Sequence, residues 1–181
     1  RALGERNAYL WREGVRWRRR SYAQLHARIH ACAARLSTLG VGPDTPVVIQ
    51  GPATPDWVEA LLATFLVGGV AVPLDEATPE AFRFEVARRA QARFLIAPRG
   101  LSAPADCTFI EMGDWPVEDP VPRFSPAGIG GGQGVVASEP TPPPYAASWD
   151  PRRTAELVFT SGTTGQPKGV ILTHGNLASD F

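Results

Sequence analysis

Pro46-Val47-Val48-Ile49-Gln50, Val70-Ala71-Val72 and Phe94-Leu95-Ile96-Ala97 are three short apolar runs separated by two segments of helical character. Between the first two, Thr54 is a good helix cap and Pro55 sits where a first-turn proline is tolerated. Trp57, Leu61, Leu62, Phe65 and Leu66 supply that helix's apolar side, and Gly68-Gly69 ends it. Val70-Ala71-Val72 is then a short strand, broken at Pro73. Thr78-Pro79 starts a further helix that runs to about Ala92. Apolar runs bounded by Gly and Pro, alternating with helices, predict parallel strands joined by crossovers. The expected class is α/β, a mostly parallel sheet with covering helices.

Toward the N-terminus, Tyr9-Leu10-Trp11 and Val15-Arg16-Trp17 flank Glu13-Gly14 and predict a small hairpin. A helix follows, with Ser21 and Gln24 at capping-box spacing and Gly40 at the stop. Tyr22, Leu25, Ile29, Cys32 or Ala33, Leu36 and Leu39 fall on one face of it. Toward the C-terminus the character changes. Twelve of the 27 residues from Pro120 to Ala146 are Gly or Pro, which argues for an exposed linker rather than a packed layer. Three regions are therefore expected: an α/β portion over 1–119, a linker over 120–150, and a strand, loop, strand and helix start over 151–181.

Composition narrows the function classes. Among 181 residues, eighteen basic side chains balance eighteen acidic ones, so nothing points to nucleic acid or an anionic membrane as the main partner. Arg16-Trp17-Arg18-Arg19-Arg20 is an exception in charge, with nine Arg against two Glu in the first 35 residues. It is read as a solvated hairpin edge, with weak peripheral membrane contact as a secondary use. The apolar stretch from Ala60 to Leu74 is shorter than the roughly 20 residues a membrane helix needs, and contains Gly68, Gly69 and Pro73. Cys32 and Cys107 are too few for a disulfide framework, so a cytoplasmic location is the default. His26 and His30 lack a third ligand at metal-binding spacing. The chain opens at Arg1 and its one methionine is Met112, so a piece of a longer protein is expected.

Chemistry concentrates in Thr160-Ser161-Gly162-Thr163-Thr164-Gly165-Gln166-Pro167-Lys168-Gly169, set between Glu156-Leu157-Val158-Phe159 and Val170-Ile171-Leu172-Thr173. Glycines expose backbone N–H groups, hydroxyls add adaptable donors, and lysine adds a compact charge suited to phosphate oxygens. Pro167 stiffens the turn that presents the lysine. Lys168 is the only lysine; the other seventeen basic residues are arginine. An oligophosphate is the expected ligand. The spacing is neither a Walker loop nor a dinucleotide fingerprint, since Gly162 and Gly165 are three apart and Gly169 follows the lysine.

This decapeptide resembles the phosphate-binding signature of the adenylate-forming enzymes. Arg20-Ser21-Tyr22-Ala23-Gln24-Leu25 is similar to the family's T-Y-x-E-L segment. Leu66-Val67-Gly68-Gly69-Val70-Ala71-Val72-Pro73-Leu74-Asp75 is similar to its L-K-A-G-x-x-x-V-P-L-D segment. The resemblance implies part of that family's large N-terminal domain and a two-step reaction. ATP and a small-molecule carboxylic acid would give an acyl-adenylate, and a thiol such as coenzyme A would then displace AMP. It further implies that Thr160 reaches Mg²⁺ and that Ser161, Gly162, Thr163, Thr164 and Gly165 cradle phosphate. Lys168 would steady the loop and its anion as the catalytic cation. Because Pro73-Leu74-Asp75-Glu76-Ala77-Thr78-Pro79 lacks a D-P-x-Y-P continuation, a fatty acid–CoA ligase is the first expectation. A nonribosomal-peptide or fatty acyl-AMP adenylation domain is the alternative, and a non-catalytic phosphate-binding remnant the second. No protein partner is evident. The resemblance puts the acid and adenine pockets beyond residue 181, so the 181-residue chain alone is expected to lack adenylation activity.

Overall fold

The computed structural model describes residues 3–115, 150–161 and 167–179. After a 3-10 turn at Leu3–Glu5, β1 (Asn7–Glu13) and β2 (Arg16–Ser21) form an antiparallel hairpin of their own. Next come α1 (Tyr22–Thr38), β3 (Pro46–Gln50), α2 (Pro55–Leu66), β4 (Val70–Leu74), α3 (Glu80–Ala90) and β5 (Phe94–Ala97). The remaining elements are β6 (Thr108–Glu111), β7 (Thr154–Ser161), β8 (Pro167–Thr173) and α4 (His174–Ser179). Six strands make one sheet in the order β6-β5-β3-β4-β7-β8. Its pairs are parallel, save the antiparallel β7–β8 pair. The expected α/β class, with a mainly parallel sheet and covering helices, is what the chain adopts.

Local chemistry explains the boundaries. Gln24 N donates to Ser21 Oγ at 3.2 Å and Ser21 N to Gln24 Oε1 at 2.9 Å, so the capping box that opens α1 is complete. Past its C-cap, Gly40 takes φ of 91°, a left-handed turn that glycine adopts without a Cβ clash. Trp57 N donates to Thr54 Oγ1, and Pro55 fills the first turn of α2. Helix α3 starts directly after Thr78-Pro79, as expected, with Pro79 as an N-cap residue that makes no side-chain bond, and ends at Ala90 rather than about Ala92.

Strands β3, β4 and β5 are covered on both faces, which is why they read as near-continuous apolar runs. Val47, Ile49, Ala71 and Ile96 face α1 and α2, while Val48, Val72 and Leu95 face α3. Strand β4 continues through Pro73 instead of breaking there, pairing Pro73 with Ile49 on one side. On its other side β4 is registered with β7 at Ala71 alone, so that ladder makes no demand on residue 73. Strand β6, with only four residues at the sheet edge, was not anticipated from sequence. The 120–146 linker lies outside the described residues.

The deepest residues of α2 are Glu59, Ala60, Ala63 and Thr64, while of the large side chains expected Trp57, Leu61, Phe65 and Leu66 pack at the margin of the core. Small residues let the helix approach, and the buried Glu59 carboxylate is compensated. It accepts from Arg20 Nη1, from Arg28 Nε at 2.7 Å and from Trp115 Nε1 at 3.3 Å. Arg28 also reaches Asp56 at 2.9 Å. Burial still pushes the Glu59 carboxyl above its ordinary value, against the pull of the two guanidinium groups. Thus the last arginine of the run at 16–20 turns inward, whereas Arg16, Arg18 and Arg19 remain exposed. Glu59→Ala would leave two guanidinium groups without their buried partner, a loss of about 3–5 kcal/mol. Thermal or urea unfolding of the purified variant should show that loss; a change within about 0.5 kcal/mol, the range of surface substitutions, would mean the cluster is not structural.

Candidate functional site

The hairpin that carries the phosphate-loop signature is built on β7 and β8. Apolar residues alternate along β7, and Ala155, Leu157 and Phe159 are its inward set: Ala155 is fully buried, Leu157 and Phe159 pack against the core beneath α3. Strand β8 returns antiparallel, pairing Phe159 with Gly169, Thr160 with Lys168 and Ser161 with Pro167. Directly opposed residues in such a ladder place their side chains on one face, with Cβ atoms about 4.5–5.5 Å apart. Thr160 and Lys168 are therefore neighbours, and both are exposed. Lys168 has no carboxylate within ion-pair distance among the described residues. A hydroxyl beside an uncompensated ammonium is a donor pair for an anion.

Ser161 closes β7, while Gly162, Thr163, Thr164 and Gly165 lie outside the described residues. Gly169 has a different task from ligand approach. A Cβ there would come within 3.1 Å of Phe159 Cε1, so the glycine makes room for the ring that covers it.

Both ends of the hairpin are tied to other elements. At its loop end, Arg89 Nη1 of α3 donates to Pro167 O at 3.0 Å. At the far end, His174 N donates to Arg153 O at 3.0 Å and Gly175 N to Pro151 O at 2.7 Å. Thr173 caps α4 through reciprocal bonds with Asn176. The His174 ring stands edge-on to Phe65 at 5.5 Å, and burial, with Arg153 nearby, lowers its pKa.

A second concavity was not foreseen from the sequence. Strand β3 leads through α2 on one face to β4, and β4 leads through α3 on the other face to β5, beyond β3. The loops after β3 and β4 thus part, leaving a cleft of about 360 Å³ lined by Gly51, Pro52, Trp57, Leu74, Asp75 and Glu76. Open α/β sheets characteristically bind ligands at such a switch point. Its signal in the sequence is topological, and becomes visible only when the strand order is known.

The other candidate residues are structural. His26 and His30 lie with ring centroids 4.3 Å apart, and no group of three metal-binding side chains occurs among the described residues. The buried Cys32 thiol is pushed up to about 12 by desolvation, and burial also raises Cys107. Neither is an activated thiolate. No described helix is long and apolar enough to cross a membrane.

The whole chain, residues 1–181, matches the AMP-binding enzyme family. It is an AMP-binding enzyme domain. Among curated relatives, it is similar to phenyloxazoline synthase MbtB of Mycobacterium sp. (strain MCS), with 32% identity over 154 residues. That match takes in 85% of this chain and 12% of the relative. It is also similar to nonribosomal peptide synthetase sidE of Aspergillus fumigatus, 30% identical over 159 residues, covering 88% of this chain and 7% of that protein. Among solved structures, the fatty acid AMP ligase from Legionella pneumophila superposes with a TM-score of 0.71. The identity there is 20%, covering 96% of this chain and 28% of the other, and it supports the shared fold. The AMP-binding chain thus spans a small part of the length of these relatives. The likeness to a nonribosomal peptide synthetase favours the alternative expectation over a fatty acid–CoA ligase.

On the adenylate-forming expectation for Lys168, Lys168→Ala in the whole protein should slow acid-dependent ATP–pyrophosphate exchange by roughly a hundredfold or more, about 2–4 kcal/mol of lost charge stabilisation. An unchanged rate at saturating ATP would remove Lys168 from the reaction.

Proposed function

We propose that the protein activates a small-molecule carboxylic acid as its adenylate and passes the acyl group to a carrier-protein thiol. In the first step a carboxylate oxygen bonds to the α-phosphorus of ATP and the bond to the bridging oxygen breaks, releasing pyrophosphate. In the second, the thiol sulfur bonds to the acyl carbon, AMP leaves, and the thiol proton passes to solvent. The observation that carries this reading is Lys168, exposed and without a carboxylate partner among the described residues, directly across the ladder from Thr160 in a chain that matches the AMP-binding enzymes along its length.

Residues 1–181 would contribute the phosphate end of this site. Lys168 and Thr160 hold the β- and γ-phosphates while negative charge builds on the leaving pyrophosphate, a positioning and electrostatic role. Ser161, Gly162, Thr163, Thr164 and Gly165 are assigned to the same cradle by their place in the signature. Magnesium commonly keeps several waters and few protein ligands beside substrate phosphates. The neutral, hard Thr160 hydroxyl fits one such ligand position. The cation would neutralise charge on the phosphate oxygens.

The choice of a carrier thiol over coenzyme A rests on the likeness to a nonribosomal peptide synthetase. It is tested by charging the whole protein with its acid and ATP, then offering a carrier-protein thiol and coenzyme A separately. Acyl transfer to the carrier, with transfer to coenzyme A at least tenfold slower, is expected. Faster thioester formation on coenzyme A would restore the fatty acid–CoA ligase reading. Adenylate formation with neither acceptor used would leave the acid activation and discard the thiol step.

A further inference from the structure

We propose that Arg89, on α3, is a positioning residue for Lys168, anchoring the exit of the phosphate hairpin through the Pro167 carbonyl. The inference rests on the function proposed above and adds a residue that lies outside the phosphate signature.

Strand β8 is the edge of the sheet, and Ser161–Pro167 is the last registered pair before the loop. Proline has no N–H to give the ladder, so the sheet holds this corner weakly. Arg89 supplies the missing constraint from another element, donating Nη1 to Pro167 O at 3.0 Å. Its guanidinium is itself held. Glu85 Oε1 accepts from Arg89 Nε at 2.6 Å, one turn earlier on the same helix. The Glu85 carboxyl, bonded by Arg88 and Arg89, is held down to about 2, so it stays ionised throughout the working range. A planar fork suits this task, because one edge can bind the carboxylate while the other reaches the carbonyl. Since the peptide unit is planar, fixing Pro167 O also fixes the plane from which the Lys168 Cα departs. The lysine then meets a developing charge from a set direction, and errors of about 1 Å in such placement can cost on the order of a hundredfold.

Arg88 provides the control. It binds the same Glu85 carboxylate, through Nε at 2.9 Å and Nη2 at 2.8 Å, yet no contact of it with the hairpin is among those the structure shows. In the whole protein, Arg89→Ala is expected to lower kcat for acid-dependent ATP–pyrophosphate exchange about tenfold or more, with the KM for ATP changed less than about threefold. Arg89→Lys, which keeps a donor but not the planar fork, should recover only part of the loss, and Arg88→Ala should keep kcat within about twofold. Equal losses in Arg88→Ala and Arg89→Ala, or an unchanged kcat in Arg89→Ala, would overturn the proposal. Amide hydrogen exchange at Lys168 and Gly169, without ligand, is the second readout. It should speed up in Arg89→Ala and not in Arg88→Ala; equal exchange in both would show that no anchor exists. Should the unaltered protein show no acid-dependent exchange at all, the proposed function fails, and the amide measurement still decides the anchor.

Discussion

The parallel seam between β4 and β7 fixes where the chemistry can occur. Strands β3, β4 and β5 are committed by burial on both faces, with α1 and α2 below and α3 above. Strand β7 joins this block beside β4 with a single registered pair, Ala71–Glu156. So short a ladder cannot by itself hold a long hairpin. Packing completes the attachment, as Ala155, Leu157 and Phe159 bury against the block and the Phe159 ring closes over Gly169. Pro167, at the loop end of β8, is still buried, while Thr160 and Lys168, paired on the other face of the ladder, are exposed. Burial thus holds one face of the hairpin, and the other face carries the exposed pair.

Much of this order was legible from residue types. The three apolar runs gave the parallel core because nothing but two-sided burial explains unalternated Val and Ile. Ser21 with Gln24, and Thr54 with Pro55, marked helix starts because they satisfy donors that the helix itself leaves open. The features that escaped depend on partners far away in the chain. Glu59 reads as a surface residue until Arg20 and Arg28 are brought against it. Arg83 is likewise buried inside α3, where Gln50 Oε1 at 3.0 Å and Ser102 Oγ at 3.1 Å meet it. Pro73 suggested a break, since the indifferent side of the β4 ladder could not be known in advance. At the site, the composition of the signature raised the expectation of an oligophosphate ligand, whereas the hold of Arg89 on Pro167 has no local trace.

The arginine bias of the chain acquires a physical meaning from these contacts. Arg20 and Arg28 fork onto Glu59, Arg83 onto Gln50 and Ser102, and Arg89 onto Glu85 and Pro167. Each of these guanidinium groups contacts a fixed oxygen within the fold. The sole lysine is instead exposed on β8, without a carboxylate partner among the described residues. A compact and strongly hydrated charge on a flexible stem suits a ligand that arrives and departs, while planar forks suit permanent internal contacts. The division of labour is consistent with Lys168 serving substrate and the arginines serving structure.

Adenylate formation is the central claim, and its reversibility provides the most direct measurement. The whole protein is incubated with ATP, magnesium and labelled pyrophosphate, with and without each of a panel of carboxylic acids that includes amino acids, aryl acids and fatty acids. Label is expected to enter ATP only when a matching acid is present. Label that enters ATP without any acid, or in no case with any acid, would contradict it.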